Sequence, residues 1–309
     1  MSLVRRGILK ASQSAWLRER APRYAFFRRT TRRFMPGETA EQALAAAREL
    51  AKNNIGSVLT RLGENIVERA EAQSVVEHYL DVLAKIRAGN LPVEISVKLT
   101  QLGLDFDREF CFTNLTKLIE HCPPEKTLWI DMEQSPYVGA TLDLYRRARK
   151  TYTNVGVCVQ AYLYRTERDL ESLIPLGSSV RLVKGAYNEP SEIAFPKKKD
   201  VDESFYRLAT MLLNPDARRA GVRAAIATHD GKLIQRISTW GASQGITKNQ
   251  LEFQMLYGIQ RAEQMRLAKE GCRVGVLISY GTFWFPWFMR RLAERPANVL
   301  FLARNFFSR

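Results

Sequence analysis

Two basic side chains interrupt the stretch VRLVKGAYNEP at residues 180–190, which otherwise has the alternating apolar pattern of a buried strand. Burying the charge of Arg181 or Lys184 is unfavourable unless each side chain is paired or binds a ligand. The stretch therefore indicates either an anionic ligand or buried carboxylate partners. A plainer interpretation leaves one of the two in solvent and pairs the other with Asp131.

Polar side chains stand in a similar way near the ends of other apolar stretches. They are Glu64, Lys98, Asp131, Glu133, Gln160, Tyr162, Tyr187, Thr228, His229, Asp230, Gln254 and Tyr257. Farther along, Arg290 and Arg291 lie in FMRRLAERP, where two adjacent guanidinium groups near a helix start can clamp a small carboxylate. An exposed helix face is the ordinary explanation of such a pair. Glu294, one turn on, is placed to orient either arginine.

The elements that must position these side chains are short β-rich stretches separated by helix-length amphipathic segments. In one such segment, residues 75–86, apolar residues recur at helical spacing. The predicted strands occupy residues 57–62, 93–99, 128–132, 155–162, 179–186, 223–229, 251–256 and 273–279. Eight strand–helix pairs predict an α/β fold, a (βα)8 TIM-like barrel, in which the loops at the carboxyl ends of the strands converge on one site. An open doubly wound sheet is the alternative, but no GxGxxG follows a predicted strand and no P-loop occurs.

The composition is that of a globular protein, with 309 residues of which 46% are hydrophobic and 26% charged. Four cysteines without CxxC spacing and three scattered histidines predict neither a metal site nor a disulfide framework, and they favour a reducing compartment. The longest uncharged run, residues 274–289, is shorter than the roughly 20 apolar residues that a spanning helix needs. We therefore expect no transmembrane segment.

Most of the net charge of +15 lies at the N-terminus, because residues 1–36 hold ten Lys or Arg against Glu19 alone. Aromatic residues such as Trp16 and Phe26 are interspersed with these arginines, as in amphipathic elements at anionic membrane surfaces. A solvated helical cap explains the pattern equally well, and nucleic acid is not the expected partner. We expect a basic helical arm over residues 1–40 and a catalytic barrel over residues 41–309.

From about Glu41 onward the chain resembles the proline dehydrogenases, the FAD-dependent barrel enzymes, in their monofunctional bacterial form. The resemblance covers the whole predicted barrel but not the basic arm. It rests on eight motifs in the same order, which are LGE (62–64), ISVKL (95–99), DME (131–133), VQAY (159–162), VRLVKGAY (180–187), ATHD (227–230), EFQMLYG (252–258) and WFMRRLAERPAN (287–298).

This resemblance implies a role for each candidate residue. Lys98, Arg290 and Arg291 are expected to hold the substrate carboxylate. Asp131 would lie beneath the substrate, and Glu64 would gate the site with Arg290. Arg181 would lie near flavin N5, where its charge stabilises the electrons that arrive. The other expected flavin contacts are Gln160, Lys184, Gly185, Ala186, Thr228, His229 and Gln254, and the other expected substrate contacts are Tyr187, Leu277 and Tyr280.

The implied reaction belongs to proline catabolism. L-proline would be oxidised to Δ1-pyrroline-5-carboxylate by hydride transfer to N5 of FAD, from the carbon beside a neutral ring amine. The electrons would pass to a quinone-type acceptor. The resemblance also implies a cytoplasmic protein, with the basic arm as a candidate contact to the inner face of the membrane.

The eighth strand departs from the family pattern R-x-Y-V-P-Y-G. Aligning the shared Tyr280 and Gly281 puts Leu277 at the position of the first tyrosine and Ser279 at the proline. The same flavin chemistry on another cyclic amino acid, such as a hydroxyproline-like one, is therefore an alternative. Two other classes stay open from the residues alone: a Schiff-base barrel lyase that uses Lys184, and an inactive barrel that binds anionic surfaces through its arm.

Overall fold

The fold is a closed barrel of eight parallel strands, in which each strand pairs with the next one along the chain and the eighth pairs with the first. A computed structural model describes residues 31–63, 66–285 and 287–289. The predicted (βα)8 barrel is confirmed, and the open doubly wound sheet is wrong. Closure leaves no strand edge unpaired, so every strand is held on both sides.

The strands and helices alternate around this barrel. The strands are β1 (Ile55–Arg61), β2 (Val93–Val97), β3 (Leu128–Ile130), β4 (Val155–Gln160), β5 (Ser179–Val183), β6 (Arg223–Ala227), β7 (Glu252–Leu256) and β8 (Arg273–Tyr280). The helices are α1 (Ala40–Ala51), α2 (Arg69–Ala88), α3 (Arg108–His121), α4 (Ser135–Arg149), α5 (Thr166–Leu173), α6 (Lys198–Leu213), α7 (Pro215–Arg219), α8 (Gly231–Ser243) and α9 (Arg261–Lys269).

Several strands end two or three residues earlier than predicted. β5 stops at Val183, and Gly185 then takes a φ of 115°, a left-handed conformation that turns the chain out of the ladder. A side chain on Gly185 would also place its Cβ 2.3 Å from the ring of Tyr162. Lys98, Asp131 and Lys184 therefore lie on the loops that follow their strands, where the polar ends can converge.

A large aromatic side chain on β3 packs in the barrel interior against Val58, Ala225 and Leu277. Trp129 is fully buried, and β4 passes beside it with Gly156. A Cβ on Gly156 would lie 2.7 Å from Cε3 of the indole, which is closer than carbon atoms approach. The glycine is therefore what lets the tryptophan occupy the centre of the barrel.

A second apolar cluster joins the N-terminal segment to the chain after β8. It consists of Phe34, Met35, Leu62, Trp284, Phe285, Trp287 and Phe288. The indole of Trp284 also donates a hydrogen bond to Glu38 Oε1 at 2.9 Å. The boundary expected between an arm and a barrel at residue 40 stays a prediction. Within the described ranges, no helix has both the length and the apolar character needed to cross a bilayer.

Candidate active site

A cavity of about 650 Å³ opens at the carboxyl ends of the strands. Residues from every part of the barrel line it, so it lies where parallel-barrel geometry directs the loops. Of the predicted site residues, it brings together Lys98, Asp131, Gln160, Arg181, Lys184, Gly185, Ala186, Tyr187, Thr228, His229, Gln254 and Leu277. In the part of the chain that the structure describes, no group of His, Cys, Asp or Glu side chains is arranged to hold a metal ion.

Asp131 is the centre of a buried charge cluster on one side of the cavity. Its Oδ1 accepts hydrogen bonds from Ser96 Oγ at 2.6 Å and Arg181 Nη1 at 2.9 Å, and its Oδ2 accepts from Lys98 Nζ at 3.2 Å. Burial alone would raise the pKa of Asp131, but Lys98 and Arg181 outweigh it and hold this pKa below its ordinary value. The carboxylate stays ionised and orients both cations.

Lys98 is stabilised as a cation by the same cluster. Burial disfavours its charge, but Asp131 more than compensates and raises the pKa of Lys98. An ammonium group has three donors, and among the described residues Lys98 hydrogen-bonds through one of them, to Asp131. The other donors are available to an anion in the cavity.

Arg181 uses only part of its guanidinium group. The side chain is 4% exposed, and Nη1 bonds to Asp131 and Ser96. Its Nε and Nη2 have no hydrogen-bond partner among the described residues, and neither do Oε1 of Gln160 and Oε1 of Gln254, which line the same cavity. Buried donors and acceptors are rarely left unpaired, so these atoms indicate a ligand that both donates and accepts hydrogen bonds.

Lys184 lies in a second charge cluster, which consists of Lys184, Lys198, Asp202 and Asp230. Its Nζ donates to Asp202 Oδ1 at 2.5 Å and Asp230 Oδ2 at 3.0 Å, and Lys198 pairs with the same two carboxylates. Both basic residues of VRLVKGAYNEP thus have carboxylate partners. A Schiff-base nucleophile must be an uncharged amine, so this arrangement gives no support to the lyase alternative.

The loop after β5 is anchored over the cavity. Glu189 accepts hydrogen bonds from the backbone N–H of Ser135 at 2.8 Å and from its hydroxyl at 2.6 Å. Ser135 is the first residue of α4, so the carboxylate also meets the positive end of a helix dipole. This contact holds Ala186 and Tyr187, which precede Glu189 on the same loop, at the cavity wall.

The loops after β6 and β7 are joined by backbone contacts of two expected flavin residues. His229 Nε2 accepts a hydrogen bond from the backbone N–H of Leu256 at 2.8 Å, so this nitrogen carries no proton. The N–H of Thr228 donates to the carbonyl of Gln254 at 3.1 Å. The ring of His229 and the backbone of Thr228 are thereby fixed at the cavity.

Leu277 and Tyr280 do not share a face of β8. Leu277 lines the cavity, whereas Tyr280 is buried on the helix side, where its hydroxyl lies 2.9 Å from His78 Nε2 of α2. Strand residues alternate between faces, so positions three apart point to opposite sides. The substrate contact expected of Tyr280 does not fit this position. Glu64, Arg290 and Arg291 lie outside the described residues.

Several polar residues of the cavity escaped the sequence analysis. Thr60 and Ser279 are register partners on β1 and β8, both line the cavity, and their hydroxyls have no partner within the described ranges. Their position one residue before the end of a strand was the available signal. Asp202 comes from the second turn of α6, and nothing in the strand pattern points to it.

Comparisons with known proteins place these features in a family. A proline dehydrogenase family model matches residues 43–304. Proline dehydrogenase 2 of Bacillus subtilis subsp. natto is 36% identical over 303 residues, which cover 97% of each chain. Proline dehydrogenase of Deinococcus radiodurans is 35% identical over 279 residues, which cover 88% of each chain.

Larger proteins match over a part of their length. The bifunctional protein PutA of Salmonella typhimurium is 27% identical over 320 residues, which cover 88% of this chain and 24% of that protein. The crystal structure of proline utilization A from Bdellovibrio bacteriovorus, inactivated by N-propargylglycine, superposes with a TM-score of 0.79 at 24% identity. That match covers 91% of this chain and 34% of the other, and it shows a shared fold.

Proposed function

Because this chain belongs to the proline dehydrogenase family, we propose that it oxidises L-proline to Δ1-pyrroline-5-carboxylate as an FAD-dependent enzyme. The observation that carries the proposal is the cavity lined by Arg181, Gln160 and Gln254, in which two donors of the arginine and one acceptor of each glutamine have no partner among the described residues. The family model, which matches residues 43–304, supports a catalytic barrel over residues 41–309.

These unpaired atoms fit the flavin ring. The edge of an isoalloxazine carries carbonyl and nitrogen acceptors and one N–H donor, which matches the donors of Arg181 and the acceptors of the two glutamines. Thr228, His229, Lys184, Gly185 and Ala186 would hold the remainder of FAD along the same cavity. When bound, FAD supplies a two-electron acceptor that takes a hydride from the substrate carbon next to the ring nitrogen.

The residues of the chain then perform the other parts of the reaction. Lys98 would bind the substrate carboxylate with its unused donors, and we expect Arg290 and Arg291 to complete that clamp. Arg181, whose side chain is almost fully buried, would stabilise the negative charge that develops as electrons arrive. Asp131 would keep the two cations in place, and Glu64 is the expected gating partner of Arg290.

A related substrate is the second candidate, and Leu277 favours it. In this chain a leucine lines the cavity where the family pattern has a tyrosine. The hydroxyls of Thr60 on β1 and Ser279 on β8 line the same cavity and have no hydrogen-bond partner among the described residues. A cyclic amino acid with a ring substituent would meet apolar bulk at Leu277 and hydrogen-bonding groups beyond it.

The electron acceptor and the location of the protein complete the proposal. We propose a quinone-type acceptor and a cytoplasmic enzyme whose basic arm, residues 1–36, contacts an anionic membrane surface. Sedimentation with anionic liposomes compares the full chain with a chain that lacks the arm. Equal binding by both would refute the membrane contact without affecting the catalytic proposal.

The enzymatic proposal is tested on the purified chain supplied with FAD. We expect a yellow protein with flavin absorbance, and we expect L-proline added without oxygen to bleach it, while the electron acceptor restores the colour. D-proline is the matched control. A colourless protein, or bound flavin that neither L-proline nor a ring-substituted proline reduces, would overturn the proposal. Borohydride trapping of a substrate on Lys184 would instead indicate a lyase.

A further inference from the structure

The indole of Trp129 lies against two arginines in the centre of the barrel. The guanidinium carbon of Arg181 is 4.6 Å from the ring centroid, and that of Arg223 is 5.1 Å from it. Both distances are within the range of cation–π attraction, which is stronger where water is excluded. Trp129 is fully buried, so it connects the floor of the candidate active site to a second charged group deeper in the barrel.

That second group, the lower cluster, consists of Arg223, Glu94, Glu252 and Thr127. Arg223 bonds to both oxygens of Glu252 at 2.8 Å, to Glu94 Oε1 at 2.6 Å and to Thr127 Oγ1 at 2.7 Å. Arg273 also pairs with Glu252 Oε2 at 3.4 Å, so the charges of Glu94 and Glu252 are balanced by two guanidinium groups. The cluster of Lys98, Arg181 and Asp131 on the other side of the indole carries +1.

The lower cluster also fixes the indole itself. Trp129 Nε1 donates a hydrogen bond of 2.7 Å to Glu94 Oε2, and Gly156 leaves room for the ring but for nothing larger than hydrogen at its own Cα. Glu94 is held in turn by Arg223. Groups that do not line the cavity therefore determine the position and the orientation of the indole ring.

This fixed ring determines which atoms of Arg181 meet Asp131. Arg–carboxylate pairs are strongest when two N–H groups bond to the two carboxylate oxygens, yet Arg181 bonds to Asp131 through Nη1 alone. We propose that Trp129 is a positioning residue, which holds the guanidinium over its face so that Nε and Nη2 stay directed to the ligand in the cavity. The inference rests on the proposed flavin chemistry of the same site.

Without the aromatic face, Arg181 is free to turn and form the two-pronged pair with Asp131. Nε and Nη2 of Arg181 then no longer point to the ligand. Asp131 then neutralises more of the guanidinium charge that stabilises the reduced ligand. For Trp129→Leu we expect the oxidised flavin to be favoured about tenfold over the reduced form, which for a two-electron couple is a midpoint potential about 30 mV more negative. Because Lys98 keeps its position, KM for the amino acid should stay within about twofold of wild type while kcat falls about tenfold.

Trp129→Phe is the second variant, since it keeps an aromatic face but loses the hydrogen bond to Glu94. It should shift the potential in the same direction and by less. Phe253→Leu is the matched control, because Phe253 is equally buried on β7 but belongs to the apolar layer between the barrel and its helices. The control should lower the unfolding temperature without changing the flavin potential.

The experiment measures the midpoint potential, the flavin content and the separate values of kcat and KM for wild type and the three variants. If Trp129→Leu folds and its potential equals that of wild type, or if Phe253→Leu shifts the potential equally, Trp129 is only a core residue. Should Trp129→Leu fail to fold, an unchanged potential in Trp129→Phe overturns the inference. A wild-type chain that binds no flavin overturns the proposed function as well, so the two failures are distinguished.

Discussion

Replacing Asp131 by asparagine should destabilise the fold by about 3–5 kcal/mol. Asn has the same shape but no charge, so the change leaves Lys98 and Arg181 without their carboxylate partner. Their side chains are 19% and 4% exposed, and neither has another ion pair within the described residues. Two buried cations would then face each other with the positive charge uncompensated.

The size of the effect follows from the two distances. Unit charges about 3 Å apart attract by about 5 kcal/mol at an effective dielectric constant of about 20, and Asp131 makes two such contacts, at 3.2 and 2.9 Å. Removing the carboxylate also removes its own desolvation penalty, which offsets several kcal/mol of this attraction. Breaking a buried pair from one side typically costs about 3–5 kcal/mol, and we expect Asp131→Asn to lie in that range.

Urea unfolding at pH 7 and at lower pH measures this effect. The folded-state pKa of Asp131 is lowered below the ordinary value of 3.8, so its contribution is full above pH 3.8 and is lost as pH falls through the folded-state pKa. The difference in the free energy of unfolding between wild type and Asp131→Asn should narrow only in that acid range. Asp143→Asn, which breaks an exposed pair with Arg146, is the control and should cost less than about 1 kcal/mol. A loss below about 1 kcal/mol for Asp131→Asn would refute the argument.

The remaining predictions concern four other positions. Gly156→Ala should cost about 1–3 kcal/mol in urea unfolding, because its Cβ would overlap Trp129, whereas Gly139→Ala, with nothing within 4 Å, should not destabilise. Burial and then Arg61 lower the pKa of His78 from 6.5 to about 4. The contribution of the neutral imidazole to stability is therefore full above pH 6.5 and is lost as pH falls towards 4. Over that range the free energy of unfolding of wild type should fall by about 1–3 kcal/mol through His78, and that of His78→Gln should not. Leu277→Tyr should raise kcat/KM for L-proline about tenfold relative to 4-hydroxyproline and pipecolate, and unchanged ratios would place Leu277 outside the substrate site. Arg291→Met should raise KM for the amino acid about tenfold to several hundredfold with flavin still bound, and an unchanged KM would remove Arg291 from the clamp.

The barrel was predictable because its signals are local and repeated. Each strand is a short β-rich stretch and each connection has helical spacing, so the count of eight follows without any knowledge of contacts. The strand ends were less predictable. At β5 the β-rich sequence pattern continues through Lys184, but the strand ends at Val183 because the backbone turns away at Gly185. The pattern of apolar residues does not indicate which conformation a glycine adopts.

The candidate site was predictable where strand ends supply the residues. Arg181 and Lys184 were expected to need an anionic ligand or buried carboxylates, and Asp131 was named as a partner of one of them, because a buried charge has few ways to be stabilised. Asp202 was missed, since it comes from a helix and its approach to Lys184 depends on how α6 packs. The substrate contact expected of Tyr280 stays a prediction, although alternation along β8 already places Tyr280 and Leu277 on opposite faces of the strand.

The lower cluster was invisible for a different reason. Glu94, Arg223 and Glu252 stand near the beginnings of their strands, where a polar residue usually faces solvent at the barrel rim. Their contact depends on the stagger of the strands around the barrel, which brings residues from β2, β6 and β7 to one depth. Stagger is a property of the closed sheet and leaves no trace in any single stretch of sequence.

The pairing of β1 with β8 also fixes the order in which the protein can assemble. Ile55 pairs with Val274 and Arg61 with Tyr280, so each contact joins residues 219 positions apart in the chain. Such distant contacts form late, because a long loop must close before they gain any stability. Until β8 has been synthesised, β1 and β7 each keep an exposed edge, and the wall that carries Leu277 and Ser279 does not exist. The cavity is therefore completed in the last step of folding, and its ligand can be captured only after nearly all of the barrel has left the ribosome.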